Sequence, residues 1–161
     1  MAKGIITVHV GEWKYSRWQK KFASHFNQPN VRIAIHQVYA DMSKKYVPYK
    51  TGALRSSVRV TKDYIRWGGA TKKVRYAHYM YEGVVYGPNI PIYEGKGDNR
   101  TFFGFRSPPG EGSKHPTGKR ITYHTPGTQD HWDMAVFENE MRGFKWRVTH
   151  ELKRIAREEG W

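Results

Sequence analysis

The chain has 161 residues, with 28 Lys and Arg against 14 Asp and Glu, a formal charge of +14. It has no cysteine, which excludes disulfides and thiolate metal sites and favours synthesis in a cytoplasm. No apolar run approaches the ~20 residues that span a bilayer, and the opening MAKGIITVHVGEW lacks the apolar region of a signal peptide.

A soluble protein with no membrane partner is therefore expected, and its length fits one domain. Aromatic residues make up 15% of the chain, enough for a core built on large anchors. The mean hydropathy of -0.81 puts some of those aromatics at half-exposed positions or against a partner. The basic balance attracts polyanions, but the cations are dispersed with no Lys/Arg block, so it reads as a diffuse field.

Along the chain, Ile5 to Val10 alternate as a short strand ending at Gly11. Trp13, Trp18, Phe22 and Phe26 recur at near-helical spacing and predict a first helix. Val31, Ile35, Val38, Met42 and Tyr46 then mark the apolar stripe of an amphipathic helix over 30–46. Pro29 suits its start, and Pro48 closes it by pushing the preceding residue out of helical geometry.

Thr51 can cap a single turn running through Ser57, after which Val58 and Val60 resume a period of two. Ile65 to Trp67 continue extended, Gly68 and Gly69 read as a hairpin turn, and Val74 begins the return strand. Tyr76 to Glu82 is a dense aromatic segment ending at Gly83, which suits a helix C-terminus.

Residues 86–127 hold all but two of the eight prolines. Thr101 to Phe105 and Arg120 to Tyr123 read there as the two strands of one long hairpin, with a mobile tip over 107–119. Met134, Phe137, Met141, Phe144, Val148, Leu152 and Ile155 define a long closing helix. Asp130 or Asp133 is its expected cap, and Gly143 is the expected site of any bend.

Catalytic patterns fail on spacing. His150-Glu151 begins a zinc-protease helix motif, but Arg154 occupies the position of the second histidine. Gly112 to Arg120 resembles a phosphate loop, yet has five residues between Gly112 and Gly118 and Arg120 in place of the magnesium-binding hydroxyl. Asp130, His131 and Asp133 could gather around a metal, although carboxylates at a helix start are far more often caps. No enzyme activity, metal or cofactor is expected. Tyr64 to Tyr81, with Lys72, Lys73 and Arg75, could stack bases and hold phosphates, but strands bury aromatics routinely and a core role is favoured.

The run Pro48 to Ser57, with Thr51, Gly52, Leu54 and Ser57 in the pattern TG-x-L-x-x-S, resembles a signature of tailed-bacteriophage minor capsid and tail-completion (head-tail neck) proteins. In that family an amphipathic helix leads through a proline into this turn and then into a sheet. Tyr76, Ala77, Glu82 and Gly83 resemble a second family segment, YA-x-x-x-E-x-G, with glutamate and glycine adjacent here where many relatives insert one aromatic. Thr125-Pro126-Gly127, then His131-Trp132 and a closing helix, is similar to the family's ending.

The resemblance implies an α+β fold: an antiparallel sheet packed by the helix at 30–46 and by the long closing helix, with 86–127 as a hairpin insert in one domain. It further implies a virion protein made in the host cytoplasm. Copies would form a ring of six or twelve at the head-tail junction, between the head-tail connector and the tail-tube proteins. Passing phage DNA would meet it transiently and non-specifically. Lys114, Lys119 and Arg120 would face the DNA or a neighbour from the hairpin. Two alternatives stay open from the residues alone: a basic nucleic-acid-binding module, and a tail-terminator or tail-tube subunit.

Overall fold

The computed structural model describes residues 6–8, 25–69, 74, 76–97, 99–109 and 114–161. The fold is α+β and comprises two compact units, one formed by residues 1–82 with 123–161 and the other by 83–122. The helix expected over Trp13 to Phe26 lies almost wholly outside the described residues, as do Lys72, Lys73 and Arg75.

In the larger unit, strand β1 (Ile6–Val8) pairs antiparallel with β3 (Ile65–Trp67), which also pairs with β2 (Arg59–Val60). Ile65 and Trp67 are buried and Arg66 is not, the alternation of a half-buried strand. The hairpin turn precedes β3 instead of following it. Thr61 Oγ1 accepts from the backbone N–H groups of Asp63 (3.3 Å) and Tyr64 (3.1 Å), folding Thr61 to Tyr64 back on itself. Gly68 and Gly69 do take positive φ (76° and 78°), but Val74 belongs to no strand. The return partner of β3 is β1, from a distant part of the sequence, which local pattern cannot reveal.

Helix α1 (Pro29–Ser43) has proline in its first turn, where the missing N–H would be unsatisfied anyway. It ends three residues earlier than expected, in a turn that leads to Pro48. Its buried face is Val31, His36, Tyr39, Ala40, Met42 and Ser43, while Ile35 and Val38 are only partly buried against the core. Short helices α2 (Ala53–Ser56) and α3 (Ala77–Glu82) flank the sheet strands in sequence.

Helix α4 (Trp132–Glu159) packs along α1. Phe144, Val148, Leu152 and Ile155 are buried as the periodicity requires. The helix breaks at Glu140 (φ −136°, ψ 19°) and not at Gly143. Glu140 is tied to α1's end, its Oε1 taking both the Tyr46 hydroxyl and the Lys45 ammonium at 2.5 Å. Burial raises the Glu140 carboxyl's pKa, but these hydrogen bonds outweigh it and hold the group below its usual range. The break rotates the first turns, so Trp132, Asp133, Ala135 and Val136 face inward and Met134, expected in the stripe, is exposed. Tyr39, Phe137 and Phe144 form an aromatic cluster across α1 and α4, with Tyr39 5.1 and 5.4 Å from the other two rings.

Among the described residues of 83–122 there is no helix. Strand β4 (Val84–Gly87) pairs with β7 (His115–Arg120), and β5 (Ile90–Glu94) pairs with β6 (Thr101–Arg106). The strand expected over Thr101 to Phe105 is β6 and pairs with β5, whereas of Arg120 to Tyr123 only Arg120 lies in a strand, at the end of β7, which pairs with β4. Glycine and proline at 87, 88 and 91 hid β4 and β5 from the sequence pattern. Part of the expected mobile tip, His115 to Lys119, is strand β7, and residues 110–113 lie outside the described set.

Candidate assembly site

The three segments that carry the resemblance are distant in sequence and meet in the larger unit. At the first, Gly52 caps α2 with φ 79°, a conformation that favours glycine, and its carbonyl accepts from Ser56 N at 2.9 Å. A Cβ on Gly52 would stand 3.2 Å from the Tyr49 ring, so the close neighbour is that ring and not a backbone. Thr51 is therefore not the cap; its Oγ1 lies 3.5 Å from Ala53 N, a long contact beside the glycine's. Leu54 is buried. Ser57 links inward: its hydroxyl donates to Leu54 O (2.6 Å) and accepts from Gly68 N (2.8 Å), joining the turn to the end of β3.

Arg55, which the pattern passes over, holds the same turn from the other side. Its Nε donates to Val47 O at 2.9 Å and its Nη2 to Lys45 O at 3.3 Å, satisfying carbonyls left open where α1 stops. Its guanidinium sits 4.8 Å from the centre of the Tyr49 ring. Polar residues one turn past a helix end were the available signal.

At the second segment, Tyr76 stands exposed ahead of α3, Ala77 is fully buried, and Glu82 ends the helix 4.0 Å from His78 Nδ1. Gly83 follows with φ 66°, the cap expected of it. Tyr81, on α3, reaches the third segment. Its ring lies 4.6 Å from His131 and 5.1 Å from Trp132, its carbonyl accepts from His131 N, and its hydroxyl donates to Asp133 Oδ1 at 2.9 Å.

Asp133 thus serves as a buried acceptor for Tyr81, while the Tyr39 hydroxyl donates to its backbone carbonyl. That engagement keeps the Asp133 side chain from capping α4, whose first residue follows His131 in the left-handed region (φ 40°) with no side-chain cap from Asp130 either. Burial, reinforced by Asp133, raises both the Tyr39 and the Tyr81 hydroxyl above ordinary tyrosine values. Trp132 in turn meets Trp67 of β3 edge to face, with centroids 6.2 Å apart. Further ties run from Thr125 Oγ1 to Tyr49 O (2.7 Å), Gln129 N to Tyr46 O (3.0 Å) and the Tyr123 hydroxyl to Met80 O (2.6 Å).

The three loop cations are not part of this convergence. Lys114 donates to Asn89 Oδ1 at 2.8 Å within its own unit. Lys119 and Arg120 lie exposed on β7. Among the described residues, no three His, Asp or Glu side chains gather as metal ligands, and no helix is long and apolar enough to cross a membrane. Comparison with known proteins returns no match: no family description, no curated relative and no solved structure is similar to the chain.

Proposed function

We propose that this chain is a structural subunit of a tailed-phage virion, a tail-completion protein that joins head connector to tail as part of a ring. The observation that carries the reading is the convergence of the three resembling segments: the TG turn, the YA…EG helix and the His131-Trp132 entry to α4 interlock around Leu54, Trp67 and Trp132. Interlocking of this kind builds a scaffold, which suits an assembly role. The charge of +14 suits a ring whose channel passes DNA, because an acidic lining would repel the phosphates.

Disruption of the gene in the producing phage tests the role. Filled heads and separate tails should accumulate, seen by electron microscopy, and supplying the chain in trans should join them. Normal, infectious virions from the disrupted phage would sink the proposal.

A further inference from the structure

The β5–β6 hairpin carries an aromatic face that the alternation of its residues alone would not build. Pairing runs Pro91 to Phe105 and Ile92 to Gly104, then shifts so that Tyr93 faces Phe102. Phe103 is the extra residue of a β-bulge, and the shift brings Pro91, Tyr93, Phe102 and Phe105 onto one side. Ring centroids 5.9 Å (Tyr93–Phe102) and 5.0 Å (Phe102–Phe105) apart confirm the shared face. All of it is exposed, with Phe102 at 51% and Phe105 at 64%. Lys96 and Arg100 stand in the connecting turn and Arg106 at the far end of β6, all exposed.

The larger unit carries the opposite surface. Between α1 and α4 runs a groove of about 640 Å³ with Ile33, Ala34, Val38 and Ile155 among its apolar residues. Ile33 is 42% exposed there. Asp41, Glu151, Glu158 and Glu159 border it, four of the chain's 14 carboxylates in one place on a strongly basic protein. Lys44 pairs with Asp41 (2.7 Å), and Arg154 with Glu151 (2.9 Å) and Glu158 (2.7 Å), so four carboxylates against two cations leave the rim acidic by two charges.

We propose that the acidic-rimmed groove between α1 and α4 receives the aromatic β5–β6 face of a second copy of this chain. The proposal rests on the ring reading above and names the contact that would build it. Apolar floor meets aromatic face, and the carboxylates meet Lys96 and Arg100 in the turn at its edge. Two different patches on one chain make a heterologous contact, which propagates from copy to copy and closes into a ring when the rotation allows. A single nucleic-acid strand is the weaker occupant of the hairpin. No Lys or Arg falls on the aromatic side, whereas strand-binding platforms set cations along the stacked bases.

Sedimentation velocity of the purified full chain over a range of concentrations gives the test. Phe102→Ser with Phe105→Ser alters the hairpin, and Ile33→Lys or Glu158→Lys alters the groove. Circular dichroism melts identify which variants keep the parent's fold. The parent should self-associate, less so in high salt, and each altered surface should weaken association roughly tenfold or more. The decisive sample is a mixture of hairpin and groove variants. Each supplies the surface that the other lacks, so a one-to-one dimer that grows no further is expected.

A monomeric parent, or association indifferent to both sets of substitutions, would overturn the contact. So would a monomeric parent that binds an oligo-dT strand through Phe102 and Phe105. Copies that associate through these surfaces but are missing from virions would sink the ring reading alone. Virions that incorporate both variants normally would sink the contact alone.

Discussion

The two units use the same kind of residue in opposite ways. In the larger one Tyr39, Trp67, Trp132 and Phe144 are completely buried, each against at least one other aromatic ring. Among the described residues of 83–122 the only buried positions are Gly83 and Gly87, and Tyr93, Phe102, Phe103 and Phe105 stand in solvent. Two-stranded sheets are marginal without a third strand or a packed face. Aromatic content therefore says little about where a core lies. Three layers of partners (β3, α1 and α4) separate a core from an exposed patch.

Substitutions should divide along the same line. Trp132→Ala removes the ring between Trp67 and Tyr81 and should cost about 3–5 kcal/mol, with Leu54→Ala close behind at about 2–5 kcal/mol. Urea titration measures both. A loss under about 1 kcal/mol at either site would mean that the core is built elsewhere.

Alkali should act on the larger unit next. The Tyr39 hydroxyl is held above its usual 10.0 by burial, then by the Asp133 charge. A group with a raised folded pKa contributes its full stability below the unfolded value and loses it as pH rises further. Stability should thus be level to about pH 10 and then fall by up to about 1.4 kcal/mol per pH unit for this group. Tyr39→Phe should be weaker at neutral pH, through the lost hydrogen bond to Asp133 O, yet show a shallower alkaline slope.

Gly143→Ala should give a smaller effect of opposite sign. The site is exposed and helical, and a Cβ would meet only Met42 Cε at 3.7 Å. A gain of about 0.5–1 kcal/mol is expected from the better helix former. The smallest effect belongs to the other unit: Phe103→Ser should change the monomer's stability by no more than about 0.5 kcal/mol, measured at concentrations below self-association.

The helices were legible in the sequence because a periodic stripe reports a buried face directly. The long α4 and the end of α3 at Gly83 followed from local pattern, while the α+β class was what the resemblance implied. What escaped was decided by distant partners. Tyr39 outranks Val38 in the core because Asp133 accepts its hydroxyl, and no spacing rule announces that. The kink sits at Glu140 and not at Gly143 because Lys45 and Tyr46 hold that side chain. Strand partners in 83–122 were misjudged since β4 and β5 carry glycine and proline and look like loop. Arg55 went unnoticed in the candidate site, although it completes the carbonyls at the end of α1.

The link from Tyr39 to Asp133 spans 94 residues, as does that from Tyr46 to Glu140, and both bear on how the protein is made. At ribosomal speeds of roughly 5–20 residues per second, the intervening segment takes roughly 5–20 s to synthesise. Throughout that interval α1 has been translated without the helix that covers it, and the whole of 83–122 emerges before that cover does. A nascent chain in this state displays Val31, Tyr39 and Met42 to the cytosol. That uncovered apolar face is the kind of surface that holdase chaperones bind.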